Sequence, residues 1–193
     1  MTEQAGDVAH WRKIERARLV SARLALAADY REAQALAIAR DLDQLLPGDC
    51  RIVGLYWPIR GEPDLRPWMH SLCARGVRAA LPVVIGHGRP LEFREWQPGA
   101  RLERGVWKIP FPVDGAVVAP DVAIAPLVGF DRKCYRLGYG GGFFDRTLAS
   151  LVPRPLAIGV GYPEIELPTV HPQPHDVPMD WIVTGAAAPV RRE

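Results

Sequence analysis

Cysteine is scarce and unpaired in this sequence: Cys50, Cys73 and Cys134 stand far apart, with no CxxC pair. That spacing excludes a disulfide framework and a cysteine metal site, and it predicts reduced thiols in a cytosolic protein. A basic excess is also missing. The formal net charge is +2, so general nucleic-acid binding is excluded and any attraction for anions must be local. No apolar run reaches membrane-spanning length, and the charged opening MTEQAGDVAHWRKIERARLV lacks the apolar stretch of a signal peptide. A cytoplasmic protein with no membrane partner is therefore expected. Repeats, low-complexity tracts and linkers are absent too, which leaves 193 residues for one ordinary domain over 1–193, with a monomer expected.

What is present is an alternation of periodic segments. Helical composition runs from about Val8 to Leu26. A second helix is expected from Asp29, where Asp-Tyr-Arg-Glu has the form of a capping box, with Leu36, Ala39, Leu42 and Leu46 at helical spacing. RIVGLYWP reads as a strand stopped by Pro58, and DLRPWMHSLCARG as a helix with Pro67 in its first turn and Gly76 at its end. VRAALPVVI reads as a buried strand and LEFREW as a half-exposed one. After a proline-rich passage to Pro120 come the strand candidate VAIAPLVGF, a helix FFDRTLASL, and the strands PLAIGVGY and DWIVT. Such an order predicts an α/β fold: a single three-layer, Rossmann-like domain with a mostly parallel central sheet and helices on both faces.

The stretch RLGYGGGFFDRTL, residues 136–148, places four glycines within 138–142 between a strand and a helix start. Ligands of such folds sit beyond the carboxyl ends of the strands, where the amides of a helix N-terminus bind anions. Removing side chains there lets backbone N–H groups reach phosphate oxygens. Counting GxGxxG or Walker A from Gly138 arrives at Phe143 where a glycine is required, so the stretch is neither fingerprint. Arg132, Lys133 and Arg136 supply cations just upstream, and the stretch reads as a phosphate cradle ahead of a plain turn. Asp145 either complements the helix dipole or holds Mg²⁺ beside the phosphates, and both readings stand. Phe144 shares a helical face with Leu148 and Leu151 and reads as core, while Phe143 and Tyr139 are free.

Arg12, Arg16 and Arg23 fall within about 40° of one another on a helix surface. They form either a solvated cationic face or a set of forks that meets an anionic ligand. His171 and His175 have the spacing of a zinc pair, but Pro172 and Pro174 forbid the helix that would align them, so they read as loop histidines. Trp57 and Trp68 read as core. A Ser-His-Asp or Cys-His set is not found.

Taken together, KIERARLVSARLAL, PIRGEPDL, PLVGFDRKCYRLGYGGGFFDRTLA and LPTVHPQPHDVPMDWIVT resemble, in order and over nearly the whole chain, the 5-formyltetrahydrofolate cyclo-ligase family. The resemblance implies an enzyme with ATP as co-substrate and Mg²⁺ as cofactor, acting on 5-formyltetrahydrofolate. It implies ATP contacts by Arg12 or Lys13 and by Arg16. Arg136, Leu137, Gly138, Tyr139, Gly140, Gly141, Gly142, Phe143 and Phe144 would form the nucleotide loop, with Arg136 and Asp145 at the chemistry. Asp145 and Asp176 would hold Mg²⁺, and Glu62 would meet the folate together with Tyr139 to Phe143. The chain departs from the family pattern where Arg12, with Lys13 beside it, replaces the usual lysine. Cys134 stands where glycine is common, and Phe143 and Phe144 replace a tyrosine pair. A non-catalytic folate- or nucleotide-binding paralogue and a phosphosugar isomerase share the fold class and are the alternatives. Retention of both Asp145 and Asp176 favours the enzyme.

Overall fold

The computed structural model describes residues 2–193, with side chains from residue 6 onward. Helices α1 (Thr2–Ala25) and α2 (Ala28–Leu45) precede strand β1 (Ile52–Gly54), helix α3 (Arg66–Ala74), β2 (Arg78–Val84) and β3 (Leu91–Trp96). The proline-rich passage is not structureless: it carries a hairpin of β4 (Leu102–Arg104) and β5 (Pro110–Pro112), then β6 (Val117–Val118). There follow β7 (Val122–Pro126), the short pair β8 (Gly129–Phe130) and β9 (Arg136–Leu137), α4 (Phe143–Ser150), β10 (Leu156–Val160), β11 (Trp181–Val183) and β12 (Val190–Arg191).

Eight strands form one sheet in the order β12-β11-β10-β7-β1-β2-β3-β6. The central pairings β11-β10, β10-β7, β7-β1 and β1-β2 are parallel, and the three outer ones are antiparallel. Side chains alternate across a strand, and the two cores show it. Val122 and Ile124 of β7 pack with Ile38 and Leu42 of α2 and with Trp68, Met69 and Leu72 of α3. Ala123 and Ala125, on the other face, pack with Leu19 of α1 and Leu148 of α4. The expected α/β architecture, a mostly parallel sheet between helical layers, is therefore present.

Three local expectations change. Helix α2 starts at Ala28 with Ala27 as its cap residue, so Asp29 lies inside the first turn and forms no capping box. Its Oδ1 instead accepts the N–H of Tyr30 at 2.8 Å. The buried stripe of α2 is Ala35, Ile38 and Leu42, and Leu36, a full 100° from Ala35, is 57% exposed. The segment VAIAPLVGF is not one strand: β7 ends at Pro126, and Gly129 and Phe130 turn away to pair with Leu137 and Arg136. That turn brings the glycine stretch back over the carboxyl ends of the central strands.

Candidate active site

The arginine stripe of α1 does not face solvent. Arg12 is buried, its Nε donating to the Val170 carbonyl at 3.0 Å and its Nη2 to the His171 carbonyl at 3.0 Å and Asp176 Oδ2 at 2.5 Å. Arg16 Nε donates to the Gly138 carbonyl at 2.7 Å, and Arg23 is fixed by the carbonyls of Arg60 and Leu127. One helix face thus grips three separate loops, because a guanidinium can serve several acceptors from one rigid fork. Lys13 is exposed, and Arg12 is the residue brought into the cluster.

The glycine stretch runs from β9 into α4. Gly140 (φ 93°) and Gly142 (φ 61°, the residue capping α4) occupy left-handed backbone that glycine alone takes without strain. Of the other two, a Cβ on Gly141 would meet the Phe143 ring at 2.7 Å, whereas one on Gly138 would meet nothing within 4 Å. Two carbonyls of the loop are engaged by arginines, Gly138 by Arg16 and Gly141 by Arg146 Nη2 at 2.5 Å. Among the described residues, no acceptor bonds the N–H groups of Gly138, Tyr139, Gly140, Gly141 or Gly142. The loop therefore leaves a row of unbonded amides at a helix N-terminus.

The cations expected upstream separate. Arg132 is exposed and paired with Glu166, Lys133 is exposed, and only Arg136 enters the site. Its side chain, 5% exposed, donates to the Val177 carbonyl at 3.0 Å and pairs with Asp145 Oδ2 at 2.8 Å. Burial lowers the Arg136 pKa against the opposing pull of Asp145. Asp145 Oδ1 in turn accepts the Val177 N–H at 3.0 Å. The carboxylate thus reaches sideways rather than back onto its own helix end, and it lies against the residue that follows Asp176. Asp176 Oδ2 is bound by Arg12 and by the Gln173 N–H at 2.7 Å. Burial would raise the Asp176 carboxyl, but Arg12 and the Gln173 amide outweigh it and hold it below the ordinary range. Among the described residues, no group of three or more His, Cys, Asp or Glu side chains converges as a metal cage. The histidines diverge: His171 packs edge-on against Trp11 at 4.6 Å, and His175 Nε2 lies 3.7 Å from Asp176 Oδ1.

Glu62 is 5% exposed. Its Oε2 accepts the Ile59 N–H at 2.9 Å and its Oε1 the Tyr139 hydroxyl at 3.0 Å. Burial pushes its pKa up to about 7, against the opposing effects of the Ile59 amide, Arg23, Tyr139 and Arg60. Tyr139 itself is raised to about 12 by burial and then by Glu62, so its proton stays on.

Three contributors were not read from the sequence. Arg146 holds Gly141 and lies 5.1 Å over the Phe143 ring. Trp107, 61% exposed, sits between β4 and β5 and stands edge-on to Phe143 at 5.6 Å. Trp107 and Lys108 both have positive φ, 54° and 59°, a costly backbone for bulky residues. Asp131 is buried and accepts the N–H groups of Lys133, Tyr135 and Val170, tying the turn before β9 to the strand-free segment that leads to Asp176. An exposed tryptophan among prolines and an aspartate opening a short turn were the available signals. In that turn Cys134 adopts φ 63°, which is why glycine suits the position.

Comparison with known proteins places this arrangement among relatives. A family model described as the 5-formyltetrahydrofolate cyclo-ligase family matches residues 8–185. The 5-formyltetrahydrofolate cyclo-ligase of Mycolicibacterium smegmatis is 32% identical over 142 residues, 69% of this chain and 73% of the relative. The Haemophilus influenzae protein of that name is 32% identical over 143 residues, 69% of this chain and 75% of its own length. In three dimensions the chain is similar to the Aquifex aeolicus 5,10-methenyltetrahydrofolate synthetase, with a TM-score of 0.80, 29% identity, and coverage of 94% of this chain and 92% of the other. The Mycoplasma pneumoniae synthetase, at 24% identity and a TM-score of 0.75 over 90% of this chain and 98% of the other, shares the fold.

Proposed function

The chain belongs to the 5-formyltetrahydrofolate cyclo-ligase family, and we propose that it closes 5-formyltetrahydrofolate to 5,10-methenyltetrahydrofolate while converting ATP to ADP and phosphate. The observation that carries this reading is the row of unbonded amides from Gly138 to Gly142 at the start of α4, with two of the loop's carbonyls turned away onto arginines. That is a site for a polyphosphate.

The chemistry needs positioning and charge neutralisation more than a nucleophilic side chain. A formamide carbonyl is a poor electrophile. Transfer of the γ-phosphoryl group to the formyl oxygen releases ADP and makes that oxygen a leaving group. N10 then attacks the activated carbon, phosphate departs with the oxygen, and the N10 proton is lost. In this reading the loop from Leu137 to Phe144 cradles the phosphates, with Arg16 beneath it, Arg12 beside it and Lys13 at its margin. Arg136 acts through Asp145, holding that carboxylate toward the 176–177 segment. Glu62 meets N–H groups of the folate, and Tyr139, Phe143 and Trp107 border it.

The donor set fits Mg²⁺. Asp145 and Asp176 are hard oxygen donors on adjoining segments, as suits an ion that takes one or two protein carboxylates and fills its other positions from phosphate and water. Bound there, it would neutralise charge on the β- and γ-phosphates. We further infer a single domain over 1–193 that acts in the cytoplasm as a monomer. No described helix is long and apolar enough to cross a membrane.

The test is direct: purified protein, ATP, Mg²⁺ and 5-formyltetrahydrofolate, followed by methenyl absorbance. Product is expected only with both ATP and Mg²⁺ present. Tight binding of both substrates without turnover would overturn the catalytic reading in favour of a binding paralogue.

A further inference from the structure

The hydrogen bonds around Glu62 run in one direction. Arg23 on α1 is 2% exposed, and its guanidinium can only donate. Nε goes to the Arg60 carbonyl at 2.9 Å, Nη1 to the Leu127 carbonyl at 3.1 Å and Nη2 to the Tyr139 phenolic oxygen at 2.6 Å. With that oxygen engaged as an acceptor, the Tyr139 proton is directed onto Glu62 Oε1. The Ile59 amide holds the other carboxylate oxygen. Arg60 and Arg23 also lie 5.4 and 5.9 Å from the Tyr139 ring centre. Three chain segments far apart in sequence, the first helix, the 59–62 loop and the glycine loop, therefore meet at one phenol.

We propose that Arg23 is a positioning residue of the folate site: acting through the Tyr139 hydroxyl, it fixes Glu62 as a hydrogen-bond acceptor and ties the glycine loop to the folate-facing loop. The proposal rests on the functional reading above, in which Glu62 meets the folate. A buried carboxyl without such donors takes up a proton and becomes a donor on one oxygen, which spoils it as a partner for substrate N–H groups. The groups that face Glu62 are Arg23 from α1, Arg60 and the Ile59 amide from its own loop, and Tyr139 from the glycine loop. Tyr56 and Tyr162 lie close enough to feel its charge, with Asp64 near both of them. Of the cations, only Arg23 is bonded to the hydroxyl that touches the carboxylate.

The experiment is a ¹³C NMR titration of the Glu62 carboxyl, with KM values for folate and ATP, in the wild type, Tyr139→Phe, Arg23→Lys and the double variant. Tyr139→Phe keeps the ring and both carbonyl bonds of Arg23, so it tests the relay even where Arg23→Lys folds poorly. The Glu62 midpoint is expected to rise by about half a pH unit or more in Tyr139→Phe and in Arg23→Lys. In the double variant it should rise no further than in Tyr139→Phe alone, because the two residues act in series. The folate KM should rise several-fold and by more than the ATP KM. An unmoved midpoint in Tyr139→Phe, additive shifts in the double variant, or equal increases in both KM values would overturn the relay and leave Arg23 a loop tether. Failure of the wild type to turn over 5-formyltetrahydrofolate would strike the functional reading alone, since the titration does not depend on turnover.

Discussion

Replacing Glu62 by glutamine should abolish a loss of stability that the protein otherwise suffers as the pH rises from 4.5 to 7, while removing its activity. Burial raises the Glu62 pKa from 4.5 to about 7, so between those values the folded state holds a proton that the unfolded chain has released. Stability from this group is therefore complete below pH 4.5 and falls as the pH rises toward 7. At ~1.36 kcal/mol for each pH unit, the loss amounts to about 3 kcal/mol. Glutamine does not titrate, so Glu62→Gln should lack that slope. Its amide can offer an oxygen to either the Ile59 N–H or the Tyr139 hydroxyl, and its NH₂ then faces the other donor. That mismatch lowers the whole curve equally at every pH and leaves the difference in slope intact. Urea unfolding of both proteins from pH 4.5 to 8 at fixed ionic strength measures it. The free-energy difference should move by about 3 kcal/mol in favour of the variant across that range, with methenyl formation abolished throughout. Parallel curves for the two proteins would refute the argument, because they would show that the Glu62 carboxyl titrates alike in the folded and unfolded chains.

Asp145→Asn and Asp176→Asn should each raise the Mg²⁺ requirement steeply in Mg²⁺ titrations of the purified variants; wild-type rates at the wild-type optimum in both would remove the metal assignment. The two should differ in stability. Asp145→Asn takes the counter-charge from Arg136 and leaves it one carbonyl partner, Val177, at a cost of about 3 kcal/mol, whereas Asp176→Asn takes the counter-charge from Arg12 but leaves it two carbonyl partners; denaturant midpoints report the contrast. Arg16→Ala should raise the ATP KM sharply with little change in the folate KM, since its one strong bond within the chain is to the Gly138 carbonyl; unchanged kinetics would return it to a surface role. Gly140→Ala should cost about 1 kcal/mol of stability from its φ of 93° and weaken ATP binding, and calorimetric titration with a non-hydrolysable ATP analogue would read the second effect.

Some of this was legible in the chain and some could not be. LEFREW reads as a strand and is one, Leu91–Trp96, although its two buried residues, Phe93 and Trp96, are three apart and so lie on opposite faces. The glycine stretch announced a close approach between strand and helix, and the helix begins at Phe143 as read. The stripe of Arg12, Arg16 and Arg23 was visible, yet its burial was not. The acceptors are carbonyls more than thirty, and mostly more than a hundred, positions away, and a carbonyl carries no sequence signal. Asp145 was equally ambiguous for the same reason, since its distinguishing partner is the backbone amide of Val177. Glu62 came only from family resemblance: a lone glutamate in PIRGEPDL has no pattern, and its character is set by Tyr139 and Arg23 from elsewhere in the chain. The hairpin of β4 and β5 was hidden by prolines, which flank Phe111 in its second strand.

The grip of α1 on distant loops also bears on how the protein is made. A ribosome delivers α1 before its partners, and the acceptors emerge in turn: Arg60 and Leu127 for Arg23, Gly138 for Arg16, and Val170 to Asp176 for Arg12. Once β1, β2 and β7 are made, Leu19 of α1 can already pack on Ala123 and Ala125, and Arg23 can reach Arg60 and Leu127. A polypeptide cut short before residue 170 would therefore hold the Arg23 end of α1 yet leave Arg12 without its acceptors. Synthesis order thus lets the Arg23 end of α1 dock before its Arg12 end.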